Sequence, residues 1–280
     1  MTLSGPEIHR LLSEHGIHPS KALGQNFVAD PNTVRRIARL AGVTPGSHVL
    51  EIGPGLGSLT LALVAAGAAV VAVEIDGRLA GALRTVLPED ASVRVVEGDA
   101  LRLDWREWFE GATGEPWTLV ANLPYSVATP VVLHALEEAP PIASALVMVQ
   151  REVADRLVAT HNTPAYGAVS VRVAYFAKAS IVGQVPASVF IPRPKVESAL
   201  VRIVRREQPA VDPALVSYER LDAVVRAGFG HRRQMLRRSL AGVVDPIAFA
   251  AADVEPTARA EDLDVVRWGR LAVVAGGIDG

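Results

Sequence analysis

No cysteine occurs among the 280 residues. Disulfides, thiolate metal sites and cysteine nucleophiles are thereby excluded, which agrees with a reducing compartment. No metal site is expected. No apolar run approaches the length of about 20 residues that spans a bilayer, so no membrane segment is expected either. The polar start MTLSGPEIHR lacks the charged and apolar regions of a secretory signal, and a cytoplasmic location is the expectation. Charge of one sign is also missing: 28 Lys and Arg against 30 Asp and Glu leave a net charge of −2, which argues against wholesale binding to a polyanion. A GxxxxGK[ST] pattern is absent, which disfavours an ATP phosphate cradle. No internal repeat or low-complexity segment stands out.

What the chain does have is apolar residues in half of its positions, enough for a full core and for one large and one small domain. From about residue 47, short apolar runs alternate with longer helical stretches, as strand and helix units of a parallel sheet do. The expected strands are 48–52, 69–74, 93–97, 118–122 and 143–149, with 180–185 and 198–204 as a closing antiparallel pair. Helices are expected over 57–67, 77–87 and 151–160, and over 31–41, where Asp30 caps, Pro31 opens and Gly42 closes. KALGQNF (21–27) reads as a loop. The linker-like REQPAVDP (206–213) is followed by short helices without strand alternation. The fold class is therefore α/β: a Rossmann-like seven-stranded sheet with helices on both faces, spanning 1–207, plus a small all-helical C-terminal domain over 208–280.

VLEIGPGLGSLT places Gly53, Gly55 and Gly57 between a strand and a helix, where backbone can approach a ligand. The spacing is GxGxG, so the third glycine of a dinucleotide fingerprint is displaced. A tight turn without a ligand is the alternative. Glu74 ends the second strand, where an acid accepts from both ribose hydroxyls, and Asp99 follows the third, where a carboxylate can accept from the exocyclic amine of adenine. Each acid alone could be a solvated strand end. Three consecutive strands ending in glycine loop, Glu and Asp fit an adenosine moiety without pyrophosphate, which is S-adenosylmethionine.

The fourth strand delivers NLPY, Asn122 to Tyr125. Asn and Pro make turns, and Tyr is often half-buried, so a purely structural reading exists. A methyl acceptor chemistry explains the order better. The exocyclic nitrogen of adenine is a poor nucleophile because its lone pair is delocalised into the ring. If the Asn122 side-chain oxygen and the backbone carbonyl of Leu123 or Pro124 each accept one N6 hydrogen, the lone pair is freed. Tyr125 can then stack on a purine taken out of its stack.

The ordered set KALGQNF, EIGPGLGSLT, VEIDGRL, GDAL, NLPYS, QREVADRL and FIPRPKVESALVR, across roughly residues 15–240, resembles the ribosomal RNA adenine dimethyltransferases, on the branch that modifies 16S rRNA. The resemblance implies dimethylation at N6 of two adjacent adenines in a loop near the 3′ end of 16S rRNA, within the small ribosomal subunit or its precursor, by a monomeric enzyme. It also implies that Gln25, Asn26 and Val28 join Gly53, Gly55, Glu74, Asp99 and Asn122 in holding the cofactor, while Asn122, Leu123, Pro124 and Tyr125 serve the adenine. Phe190 resembles the ring that packs on the other face of the target base; a core Phe is the alternative. Val28 stands where the family commonly has Leu, and Arg193 where it commonly has Pro.

Basic charge is concentrated late. The segment 193–206 has Glu197 as its one acid, and RAGFGHRRQMLRR (226–238) carries five Arg, one His and no acid. Arg193, Lys195, Arg232, Arg233, Arg237 and Arg238 are the candidate RNA contacts, with a solvated face as the alternative. If the stretch is helical, Arg233 and Arg237, four apart, share a face. Rival readings are a 23S rRNA dimethyltransferase of the macrolide-resistance type, a DNA adenine methyltransferase, a nonenzymatic ribosome-assembly factor that keeps the fold, and a nicotinamide oxidoreductase. The tract GFGHRRQMLRRSL, the form NLPY and the retained acids favour the 16S enzyme.

Overall fold

The computed structural model describes residues 2–20, 24–109, 115–124 and 126–276. Nine strands occur among them: β1 (Phe27–Val28), β2 (His48–Ile52), β3 (Ala69–Glu74), β4 (Val93–Glu97), β5 (Trp117–Asn122), β6 (Ile142–Gln150), β7 (Ala177–Val185), β8 (Phe190–Ile191) and β9 (Ser198–Arg205). Seven of them form one sheet in the order β4-β3-β2-β5-β6-β9-β7. Strands β4, β3, β2, β5 and β6 run parallel, and β9 lies antiparallel to β6 with Ser198 opposite Gln150. β1 and β8 make a separate antiparallel pair, Phe27 opposite Ile191 and Val28 opposite Phe190. The loop expected over 21–27 thus ends in a strand at Phe27; residues 21–23 lie outside the described ones.

The sheet strands are apolar because both faces are covered. Val49, Val70, Ala72, Val120 and Leu146 share a cluster with Val34 and Ile37 of the helix Pro31–Leu40 and with Leu59, Ala62 and Leu63 of the helix Ser58–Ala65. The alternate residues Leu50, Val71, Val73, Leu119 and Val147 point to the opposite face and are buried as well. SLTLALVA, apolar on every side, is the sequence of an enclosed helix. Edge strand β4 has no fully buried residue. An N-terminal helix, Gly5–Glu14, opens with a capping box in which the Ser4 backbone N–H and hydroxyl both donate to Glu7 Oε2, at 2.7 and 2.5 Å.

The chain divides into two compact units: Met1–Ala154 with Ser180–Val204, and Asp155–Ala179 with Arg205–Gly280. The second unit begins again within a few residues of the boundary expected at 208. It also takes in 155–179, because the helix Ala168–Phe176 packs on the helix Tyr218–Gly230. Tyr166, Val171 and Tyr175 join Val224, Leu236, Phe249, Trp268 and Leu271 in one core. The Tyr166 hydroxyl donates to the Leu263 carbonyl at 2.8 Å. Gly228 faces the Trp268 ring so closely that a β-carbon there would collide with it. Short of strand β7, the second unit is helical, with Val265–Val274 its last described helix.

Candidate active site

The carboxyl ends of β2, β3, β4 and β5 open into a pocket lined by residues from the glycine loop, both acids and the start of NLPY. Gly53, Gly55 and Gly57 adopt φ of 71°, 59° and 91°. Side chains rarely take these values, and the first two glycines leave bare backbone toward the pocket. A β-carbon on Gly55 would press on the Phe27 ring at 3.0 Å.

Glu74 is 5% exposed. Its Oε2 accepts from the Gly55 N–H at 3.0 Å and its Oε1 from the Asp76 N–H at 3.1 Å. Burial raises its pKa above the usual carboxylate value, against the pull of those amides. Asp99 also lines the pocket, but Oδ1 already accepts from the Leu101 N–H at 3.0 Å and Oδ2 lies 3.4 Å from the exposed Arg102 guanidinium. Both acids are thus engaged through both oxygens; they differ in that Glu74 is buried, whereas the Asp99 side chain is 36% exposed and open to competing water.

Asn122 ends β5, and its Nδ2 donates to the Asn26 carbonyl at 3.0 Å. That bond fixes which end of the amide is which, because only the nitrogen can donate. The side-chain oxygen is left as the acceptor. Of the two carbonyls expected to assist it, that of Pro124 accepts from the N–H groups of Val127 and Ala128, both at 3.1 Å, as the following helix begins. Both of its lone pairs are engaged, which leaves the Leu123 carbonyl as the candidate partner; Leu123 itself is 1% exposed and is not among the described residues lining the pocket. Tyr125 lies outside the described residues. Phe190 is 4% exposed, packed with Val28 and Leu200, and not among the described residues lining the pocket, which favours the core alternative over a ring presented to the target base. The ring is a core residue because β8 pairs with β1 and buries it.

Gln25, Asn26 and Val28 all line the pocket. The Gln25 side chain is nevertheless occupied at both ends: Oε1 accepts from the Ser20 N–H at 2.7 Å, and Nε2 donates to Asp76 Oδ2 at 3.2 Å. Its backbone N–H donates to the Ser20 carbonyl at 3.1 Å, so the backbone carbonyl and the second Nε2 hydrogen remain to face a ligand. Asn26 Nδ2 donates to the Gly24 carbonyl at 3.0 Å.

Several lining residues were not expected from the sequence, and the one with chemistry to offer is an acid. Glu51, within β2, is 1% exposed, and its Oε2 and the Ser58 hydroxyl are buried without a partner among the described residues. Desolvation pushes its carboxyl up to about 8, with Thr60 partly opposing the rise and nearby Glu74 adding to it. The Thr60 hydroxyl is close but makes no well-formed hydrogen bond. The signal was present, since an acid inside an otherwise apolar strand needs a reason. An orphaned acceptor beside a bare glycine loop fits the ammonium of a methionine moiety, and Glu74 fits the ribose of the same molecule.

The expected RNA contacts are dispersed. Arg193 and Lys195 are exposed between β8 and β9. The helix Tyr218–Gly230 stops at His231, residues 231–235 form turns, and Met235 bridges to Arg259 before the short helix Leu236–Ser239. Arg233 and Arg237 therefore do not share a continuous helix; the bridge pulls the chain into extended form between them. Arg232 is used internally, donating to Glu261 Oε2 and to the Pro164 carbonyl, both at 2.9 Å. Arg233, Arg237 and Arg238 are exposed, and among the described residues none of the three has an ion-pair partner.

A seven-stranded sheet with one antiparallel strand inserted next to its end, a glycine loop after β2 and acids at the ends of β3 and β4 is a Rossmann-like methyltransferase fold. Residues 18–272 match the family described as ribosomal RNA adenine dimethylase. The chain is 46% identical to the ribosomal RNA small subunit methyltransferase A of Corynebacterium efficiens, covering 98% of this chain and 97% of that one. It is 47% identical to the protein of that name from Cutibacterium acnes, covering 94% and 91%. Among solved structures, the 23S rRNA methyltransferase ErmE is similar at 29% identity and a TM-score of 0.68, over 89% of this chain and 99% of that one. A dimethyladenosine transferase from Plasmodium falciparum shares the fold at a TM-score of 0.73, with 23% identity over 88% and 98%. The chain belongs to the ribosomal RNA adenine dimethylase family. It is an enzyme that dimethylates adenine with S-adenosylmethionine as methyl donor. Among the described residues, no helix is long and apolar enough to cross a membrane.

Proposed function

We propose that this enzyme converts two adjacent adenines, in a loop near the 3′ end of 16S rRNA, to N6,N6-dimethyladenine, acting as a cytoplasmic monomer on the small subunit or its precursor. The observation that carries the reading is the Asn122 amide, turned by the Asn26 carbonyl so that its oxygen is the free end, at the mouth of a pocket that holds Glu74 and Glu51.

S-adenosylmethionine, when bound, supplies an electrophilic methyl group. Glu74 would hold its ribose, Glu51 its ammonium and Asp99 its adenine edge. The remaining work is done on the acceptor. Asn122 Oδ1 and the Leu123 carbonyl accept the two N6 hydrogens of a flipped-out adenine, which draws the nitrogen toward tetrahedral geometry and frees its lone pair for in-line attack. No general base is needed before transfer: as the N–C bond forms and the methyl–sulfur bond breaks, N6 becomes positively charged and releases one proton to water. In the second transfer the single remaining N6 hydrogen is held by one of the same two acceptors. Arg193 and Lys195 after β8, with Arg233, Arg237 and Arg238 farther along the chain, would meet backbone phosphates.

Methyl transfer from labelled cofactor to immature 30S particles, compared with 50S particles, tests the substrate. Label is expected in 30S; equal or greater label in 50S would transfer the reading to the 23S branch.

A further inference from the structure

Asp76 lies outside the groups that would touch cofactor or adenine, yet three bonds pass through it. Its N–H donates to Glu74 Oε1 at 3.1 Å, its Oδ1 caps the helix Gly77–Val86 by accepting from the Arg78 N–H at 3.0 Å, and its Oδ2 accepts from Gln25 Nε2 at 3.2 Å. Gln25 begins a run, Gln25 to Val28, every residue of which lines the pocket. The run is held in its middle by Asn122 on the Asn26 carbonyl and at its end by the pairing of β1 with β8. Its near end is tied to Ser20, through the Gln25 N–H on the Ser20 carbonyl at 3.1 Å and the Ser20 N–H on Gln25 Oε1, and to the body of the sheet through Gln25 Nε2 on Asp76.

We propose that Asp76 is a positioning residue for the methyl-donor site: through Gln25 it fastens the strap 25–28 across the pocket and so sets cofactor affinity without touching the cofactor. The proposal rests on the cofactor site described above. Asp76 is suited to the task because it presents two acceptors to two donors. One secures the helix and the other the strap, so the strap is registered against the same turn that orients Glu74.

The hydrogen-bond polarity makes the idea testable by exchange. In Asp76→Asn one oxygen becomes an NH2 group, and no flip of either amide satisfies the Arg78 N–H, Gln25 and the Ser20 N–H together; one donor always faces a donor. In Gln25→Glu a carboxylate faces a carboxylate. When both substitutions are combined, the new amide at position 76 donates to the new carboxylate at position 25, and the three hydrogen bonds at Arg78, position 25 and Ser20 are restored with the direction reversed at a single point; only the exposed Arg78 ion pair at 3.6 Å is not regained.

Calorimetric titration with S-adenosylmethionine would be run on wild type, both single variants and the double, alongside thermal unfolding without cofactor. Each single variant is expected to bind about tenfold more weakly, as loss of a charge-assisted bond implies, and the double variant to recover to within about threefold of wild type. If the Asp76→Asn variant binds normally, or the double binds no better than Gln25→Glu, the strap is not set by Asp76. Single variants that lose cofactor affinity only in proportion to a lowered unfolding temperature, without rescue, would also overturn it. Wild type that fails to bind S-adenosylmethionine would instead overturn the cofactor site itself.

Discussion

The cofactor end of the sheet and the basic stretch at 231–238 are both dense in polar groups, but they are built in opposite ways. At the sheet end, most polar side chains described above have a partner inside the chain, and among the described residues the exceptions are specific: the Glu51 carboxyl, the Ser58 and Thr60 hydroxyls and the oxygen of Asn122. In the basic stretch, Arg232 is anchored, while Arg233, Arg237 and Arg238 stand in solvent. Pre-set geometry serves chemistry, where a misplaced acceptor loses most of its effect. Loose exposed cations serve a polyanion whose phosphates are met by charge more than by shape. Substitutions should therefore be severe and local in the first region, and graded and salt-dependent in the second.

The largest effect is expected from Asn122→Ala, which removes the acceptor and the bond to Asn26 together. Turnover on 30S particles at saturating cofactor should fall on the order of 10²-fold or more, while circular dichroism stays that of the folded enzyme. Near-normal turnover in the folded variant would erase the distinction between the two regions.

Next come the two acids. Glu74→Ala should weaken S-adenosylmethionine binding by about tenfold or more, as expected for hydrogen bonds to a charged group. Asp99→Ala should weaken it less, because the Asp99 side chain is 36% exposed and water competes for its oxygens, whereas Glu74 is buried. Calorimetry on both variants would reverse this ranking if Asp99 were the main anchor.

Glu51 gives a pH signature. The folded, cofactor-free enzyme keeps its proton to about pH 8, whereas an unfolded carboxyl loses it near the ordinary value of 4.5. Stability of the free enzyme should therefore fall as pH rises across that window, since the unfolded state releases the proton first. A cofactor ammonium beside Glu51 favours the ionised form, so affinity should climb with pH up to about 8. Glu51→Gln should flatten both dependences. Calorimetry and thermal unfolding at a mildly acidic and a mildly alkaline pH would read them, and unchanged slopes would remove Glu51 from the site.

The smallest effect per residue belongs to the basic stretch. Replacing Arg233, Arg237 and Arg238 by Gln should leave cofactor affinity intact, weaken 30S binding, and make its salt dependence shallower by about one unit of slope for each phosphate no longer neutralised. Arg232→Gln should instead lower thermal stability, because it strips Glu261 and the Pro164 carbonyl of their donor. Parallel salt slopes for the triple variant and wild type would leave no RNA role for the cluster.

The contrast also explains what could be read from sequence. Strands such as AVVAVE announce themselves, because continuous apolar runs have few other uses, and the acids and glycines at their ends mark the ligand side. The N-terminal helix, absent from the expected elements, carried a local signal that went unread: Ser4 and Glu7 are spaced as a capping box ahead of Ile8. The two-residue strands β1 and β8 had no such signal, since nothing local says that Phe27 and Ile191, far apart in sequence, will pair. The same non-locality hid the roles of Gln25 and Asp76, 51 residues apart, and the burial of Phe190. Arg233 and Arg237 misled through helical spacing alone: the bridge from Met235 to Arg259, which breaks the helix, is again a distant partner. Residues 155–179 joined the second unit through the tertiary packing of Tyr166 and Tyr175, which no composition shift marks.

The most direct test of the central claim, that this site prepares the N6 of adenine in small-subunit rRNA, is nucleoside mass spectrometry of 16S rRNA after reaction of the wild-type enzyme with unmethylated 30S particles, with the modified fragment mapped. The account predicts N6,N6-dimethyladenosine at two adjacent positions near the 3′ end. Methyl groups at a ring nitrogen, on a base other than adenine, or elsewhere in the rRNA would contradict it.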